Sequence, residues 1–176
     1  MNNKLRNALK AFSWVLVVII IALAGIIAVP RLFGLKVFTV LSPSMEPEYK
    51  TGALIYVKPT EPQDIKEGDV ITFLIGEHTT ATHRVIKVIE GTEGEPLDFA
   101  TKGDANNSED KTPVHEANII GKPIVNISYL GYIVSFIQNP PGMYLSIAIG
   151  LICTIVVFMI DYLSCDGQEN KEKEEN

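Results

Sequence analysis

Two long apolar runs, neither holding a charge, bracket a middle stretch of shorter ones. The first covers residues 13–29 and the second residues 143–160. Each is close to the roughly 17–25 residues that a helix needs to cross a bilayer. A helix satisfies its own backbone polar groups, so such a run can live in lipid. The pattern predicts transmembrane helices over 13–29 and 143–163. The first run has the basic start of a cleaved signal peptide, but it is long and no small-x-small site follows it, so it reads as an uncleaved anchor. The second, followed by a charged tail, reads as a second span rather than as a buried core helix.

The middle stretch behaves differently. Short β-branched and aromatic runs lie at residues 37–41, 53–57, 69–75, 83–89 and 119–127. Prolines and glycines punctuate them, among them Pro43, Pro47, Pro59, Gly68, Gly76 and Gly103. Short strands at close spacing, with no long helical period between them, predict a compact, mainly β domain over 31–142. Residues 101–112 read by composition as an exposed turn. The aromatic stretch 129–136 suits either a membrane interface or a core. The predicted order is a cytoplasmic N-terminus (1–12), a span, an exported domain, a second span, and a charged cytoplasmic tail (164–176) with a solvated, disordered end.

Charge sets the orientation. Lys4, Arg6 and Lys10 precede the first run, which puts that side in the cytoplasm and residues 31–142 on the far side. This middle segment carries ten basic and fifteen acidic residues, which argues against nucleic acid as a partner. Its lack of cysteine, with Cys153 in the second run and Cys165 just beyond, leaves no disulfide framework and no thiol nucleophile there. The sequons Asn106-Asn107-Ser108 and Asn126-Ile127-Ser128 matter only in a glycosylating compartment. No metal-ligand spacing, phosphate loop or dinucleotide fingerprint occurs, and no cofactor is expected.

Amide hydrolysis needs a nucleophile, a base and a donor for the oxyanion. The middle domain offers Ser42, Ser44, Ser108, Ser128 and Ser135, with His78, His83 and His115. In Ser42-Pro43-Ser44-Met45-Glu46-Pro47 two serines are bracketed by prolines directly after an apolar strand. The prolines restrict the backbone and hold Ser44 at a rigid strand end. An ordinary turn or a helix cap is the plainer reading of the same residues. A lone strand histidine such as His83 is commonly structural, yet imidazole, with an unperturbed pKa of about 6.5, is the best general base on offer. His78 and His115 sit in polar, turn-like surroundings and read as surface residues.

Four blocks stand in order behind the N-terminal anchor: Ser42 to Pro47, Gly68-Asp69-Val70-Ile71-Thr72-Phe73, Thr82-His83-Arg84-Val85, and Thr101-Lys102-Gly103-Asp104-Ala105-Asn106-Asn107 through Asp110. Together they resemble the type I signal peptidases. Where the common bacterial branch has a lysine base, this chain has His83, as the ER-type, Ser-His-Asp branch does. The resemblance implies a signal-peptidase-like β catalytic domain flanked by two transmembrane helices. It implies a serine endopeptidase that removes signal peptides from secretory preproteins through an acyl-enzyme, with no cofactor.

The resemblance also implies roles. Ser44 is the nucleophile, His83 the base, and the Ser44 N–H with the Ser42 hydroxyl the oxyanion hole. Met45 joins the substrate wall. Asp104 and Asp110 both matter, with Asp110 favoured as the third member; which of them contacts His83 stays open. Residues 37–41 and 79–82, including Ala81 and Thr82, are expected to pair with an extended substrate. The partners implied are preproteins and membrane lipid, with accessory subunits in ER members of the family. The implied place is the cell membrane, or the ER membrane in a eukaryote, with the catalytic domain on the trans side. Activity is expected to fall in acid as the imidazole gains its proton. The alternative is a membrane-tethered, non-catalytic binding module or an inactive family member.

Overall fold

The computed structural model of the chain describes residues 3–76, 79–89 and 96–174. His78 lies outside the described residues. The chain divides into two compact units: residues 27–135, and the helical segments 1–26 and 136–176.

Seven antiparallel strands form a half-barrel sheet in the first unit, in the order β1-β2-β7-β3-β4-β5-β6. They are β1 (Lys36–Thr39), β2 (Leu54–Lys58), β3 (Val70–Leu74), β4 (Thr80–Ile89), β5 (Asp98–Lys102), β6 (Val114–His115) and β7 (Ile119–Ile127). Leu54 to Val57 and Val70 to Phe73 are buried throughout, as continuous apolar runs covered on both faces should be. Register shifts interrupt β2–β7, β3–β7 and β4–β5, and such bulges bend and twist a sheet into a barrel-like curve. One apolar cluster gathers Met45, Tyr49, Ile55, Val57, Val70 and Ile120. A second gathers Ile65, Ile71, Phe73, Val85, Phe99 and Val114. The site lies along the strands that these two clusters support.

Residues 101–112 depart from the expected exposed turn. Thr101 and Lys102 close β5, and Thr101 is wholly buried. Phe99, also wholly buried, anchors β5 in the second cluster, and the turn chemistry begins only at Gly103. His115 is exposed and its Nδ1 accepts from the Ala117 N–H, starting a short 3₁₀ turn.

Three α-helices stand beside the sheet among the described residues. α1 (Asn3–Leu32) and α3 (Gly142–Glu174) contain segments, Lys10–Leu32 and Gly142–Met159, that are long and apolar enough to cross a membrane. α3 runs on to Glu174, within the charged stretch that composition read as disordered; glutamate and lysine are good helix formers. α2 (Leu130–Gln138) covers most of the aromatic stretch.

Lys122 of β7 reaches across to Asp69, just before β3, at 2.6 Å, and the Lys66 N–H donates to the same carboxylate oxygen at 2.7 Å. Burial works to raise the Asp69 carboxyl, but the bonds from Lys122 and Lys66 and the charges of both lysines leave it below its ordinary value. The folded state therefore favours the ionised form. This stabilisation is complete above the unfolded carboxylate's pKa of about 3.9 and is lost as pH falls through the lower folded value. Asp69→Asn is expected to cost about 1 kcal/mol at neutral pH. Denaturant melts of both proteins check this: the gap should close in strong acid.

Candidate active site

Pro43–Met45 form a single 3₁₀ turn, separated from the end of β1 by Val40, Leu41 and Ser42. Pro43 occupies the first position of that turn, where a missing N–H costs nothing. Ser42 stands at the cap position but makes no side-chain cap bond. Its hydroxyl instead lies 3.1 Å from the Ser44 Oγ. Met45, next along, is 2% exposed. It is anchored in the first apolar cluster and lines the cleft.

β4 supplies the imidazole. His83 pairs with Ile71 of β3, and its ring meets Phe73 edge-on, with centroids 6.1 Å apart. Its Nε2 lies 3.2 Å from the Ser44 Oγ. Its Nδ1 lies 2.6 Å from the Asp110 Oδ2. A carboxylate can only accept, so Nδ1 carries the proton and Nε2 is left with a lone pair facing the serine hydroxyl. The His83 and Asp110 side chains are 13% and 25% exposed, sheltered enough to strengthen their attraction while leaving the serine accessible from the cleft.

Asp104, the other acid singled out by the sequence, turns elsewhere. Strand alternation sends Arg84 to the opposite face of β4 from His83. The Arg84 guanidinium grips Asp104 in a fork, Nε to Oδ1 at 2.8 Å and Nη2 to Oδ2 at 2.7 Å. It also bonds the Gly68 carbonyl and the Glu48 carboxylate. Bonding to Asp104 raises the guanidinium's pKa; burial opposes this, and Glu48 adds to the rise. Arg84 thus ties the acidic loop to the turn that follows Ser44. The Ala105 N–H donates to the Ser44 carbonyl at 2.9 Å. Gly103 permits this approach, since a Cβ there would lie 2.6 Å from the same oxygen.

Thr101, which composition left in a turn, donates its hydroxyl to the Asp110 Oδ2 at 2.7 Å, and the Asp110 N–H returns to the Thr101 carbonyl. One carboxylate oxygen therefore receives both the threonine and the imidazole. Thr101→Val keeps the shape of this buried residue and removes the bond. It is expected to lower kcat/KM about tenfold by loosening the carboxylate. Peptide turnover checks this, with an unchanged β-rich circular dichroism spectrum as the control. Thr101 stands two residues after the apolar Phe99 and two before Gly103, an alternation too short to mark a strand by composition.

The Ser44–His83 pair opens into a cleft of about 580 Å³. Phe38, Val40 and Leu41 line one wall and Thr80, Ala81 and Thr82 the other. The Thr82 hydroxyl is held 2.8 Å from that of buried Thr72. β1 pairs only with β2, and residues 80–83 pair only with β3, because β5 joins from Arg84 onward. Both walls thus carry strand segments with an unpaired edge among the described residues. Asn106, quoted in the sequence block without a role, also lines the cleft.

A serine hydroxyl, an imidazole and a carboxylate in one hydrogen-bonded row, carried on an antiparallel sheet, form the constellation of a serine hydrolase. The comparisons with known proteins make the family plain. The profile of the signal peptidase family, peptidase S26, matches residues 11–116, and the chain belongs to that family. Signal peptidase I W of Bacillus subtilis (strain 168) is 44% identical over 91 residues, 51% of this chain and 47% of that protein. The signal peptidase complex catalytic subunit SEC11C of Homo sapiens is 29% identical over 113 residues, 60% of this chain and 58% of its own. The SEC11 subunit of Tuber melanosporum (strain Mel28) is 28% identical over 125 residues, 61% of this chain and 66% of its own. The chain therefore spans about half to two thirds of the length of these relatives. The histidine at position 83 and the likeness to SEC11 subunits are consistent with the ER-type branch.

Proposed function

We propose that this protein is a membrane-anchored serine endopeptidase that removes signal peptides from secretory preproteins. The observation that carries the reading is the row Ser44 Oγ, His83 Nε2, His83 Nδ1, Asp110 Oδ2 at 3.2 and 2.6 Å, opening into an apolar cleft between two unpaired strand edges. An extended chain laid in the cleft would add main-chain bonds to those edges. Small side chains just before its scissile bond suit a floor filled by Met45 and Tyr49.

Ser44 attacks the scissile carbonyl as His83 Nε2 takes its proton. Asp110 holds the resulting imidazolium in place. The Ser44 N–H and the Ser42 hydroxyl receive the oxyanion; each such donor is worth about 10²–10³ in rate. The imidazolium then protonates the leaving amine, and water, activated by the same nitrogen, releases the signal peptide's new C-terminus. Asp104 acts at one remove, through Arg84, by seating the loop that carries Asp110.

In this reading α1 and α3 both span the bilayer. Lys4, Arg6 and Lys10 keep the N-terminus in the cytoplasm, and the β domain lies on the trans side. Ser44 follows Val29 closely enough to stay within about 50 Å of chain from the bilayer. The test is to incubate the full chain in membranes with a preprotein and sequence the new N-terminus. A single cut after a small-x-small site supports the reading. An uncut preprotein, or cuts scattered through its mature part, overturns it.

A further inference from the structure

The walls of the cleft account for one side of the scissile bond. The unpaired strand edges lead up to Ser44 and His83, so a chain laid along them is held through the residues that precede the cut. β5 joins β4 from Arg84 onward, so past His83 that edge of β4 is taken. A substrate continues beyond the cut all the same, and its mature part needs an anchor of another kind.

Asn106 stands at that place. It is half-buried and lines the cleft together with Ser42, Ser44 and His83. Backbone bonds fix it there. The Ala105 N–H donates to the Ser44 carbonyl at 2.9 Å, and the Asn106 N–H donates to the Gly103 carbonyl at 2.9 Å. The Asn106 side chain lies over Gly103. A Cβ on that glycine would be 2.6 Å from the Ser44 carbonyl oxygen and 2.8 Å from the Asn106 Nδ2. The amide thus shares a notch with the nucleophile's own backbone. It is carried by the loop that Arg84 ties down through Asp104, one residue past His83 along β4.

The backbone N–H of Asn106 is used, but its side-chain amide makes no hydrogen bond among the described residues. An asparagine amide carries two N–H donors and an oxygen that accepts. These complement the carbonyl and the N–H of a peptide group, and they bind main chain whatever its side chains are. We propose that Asn106 is a substrate-binding residue for the part of the preprotein that follows the cut, its amide bonding the main chain of the first residues of the mature protein. This rests on the peptidase reading above and adds to it the half of the substrate that the strand edges leave unheld. The chemistry gives the role a signature. The mature part leaves as an amine when the acyl-enzyme forms, so Asn106 assists acylation and has nothing to hold during deacylation.

Two substrates, given to the full chain in detergent, separate this from a role in the fold. One is a signal-peptide fragment that continues several residues past its small-x-small site. The other has the same residues up to the cut and then a p-nitrophenyl ester, with nothing of the mature part. Asn106→Ala is expected to lower kcat/KM for the first about tenfold, the loss of one or two hydrogen bonds, and to leave the second within about twofold. Asn106→Leu, which fills the space without a polar atom, repeats the comparison should the alanine disturb the loop. Equal losses on both substrates, the pattern of a loosened Asp110, overturn the proposal, as do unchanged rates on both. Product inhibition reads the same contact without the ester. A peptide copying the mature N-terminus should inhibit the native enzyme about tenfold better than the variant, and equal inhibition overturns the proposal. A native enzyme that cleaves neither substrate overturns the peptidase reading itself.

Discussion

Cleavage by a Ser44→Ala variant is expected to fall by about 10⁴–10⁶, and His83→Ala to fall comparably, with the double variant no worse than either single one. The reason is the shared proton. The Ser44 Oγ is 3.2 Å from the His83 Nε2, so removing either end leaves the other with nothing to act on. Members of such a row fail as a unit, and the residual rate comes from binding and oxyanion donors alone. Neither change threatens the fold on a comparable scale. Ser44 gives up a hydroxyl at the cleft, and His83 gives up a ring that touches Phe73 at its edge. The measurement is the initial rate of preprotein processing in detergent, with melting temperature as the control. Strictly additive losses would mean that the two residues act separately, which would contradict the mechanism.

The parts legible in the sequence share a physical trait: their signal is local. The apolar runs 13–29 and 143–160 showed themselves by length and lack of charge, and α1 and α3 contain them. Five of the seven strands were legible because β2, β3 and their neighbours are apolar enough to stand out between turns. β5 and β6 were not. β5 reads Asp-Phe-Ala-Thr-Lys, polar at both ends, and is a strand only because Phe99 and Thr101 face inward between β4 and β6. β6 is two residues long. α2 was hidden for a different reason. Its buried stripe is Gly131 and Val134, small residues that give no apolar period, while Tyr132, Ile133 and Phe136 are largely exposed. The site residues came from motif resemblance. Their partners, however, are set by long-range geometry: Thr101 on Asp110, Arg84 on Asp104 and Glu48, and Ala105 on the Ser44 carbonyl. No spacing rule reveals that adjacent residues of β4, His83 and Arg84, divide two aspartates of one loop between opposite faces of a strand.

That division leads to the second large effect. Asp110→Asn is expected to lower kcat by about 10³–10⁴ with little change in KM, whereas Asp104→Asn should cost about tenfold in kcat and act mainly through stability. Asp110 places one oxygen, Oδ2, between the His83 Nδ1 and the Thr101 hydroxyl, at 2.6 and 2.7 Å. The threonine must donate, so an asparagine here can turn its oxygen to both groups, or turn its amide toward the imidazole. In the second case the amide donates to Nδ1, the proton moves to Nε2, and Nε2 can no longer accept from Ser44. In the first case the tautomer survives, but the negative charge that stabilises the imidazolium is gone. Either way the loss falls on the chemical step, because the cleft walls are untouched. Asp104 has no atom in this row. Its loss frees the Arg84 fork and loosens the loop, which is a defect in holding rather than in proton transfer. Single-turnover kinetics on the two variants separate the cases. A larger loss at Asp104 than at Asp110, in proteins of equal melting temperature, would reverse the assignment. Rescue supplies a further check: Asp110→Glu keeps the charge on a longer arm and should recover part of the rate, while Arg84→Lys, which keeps charge but not the fork, should resemble Asp104→Asn.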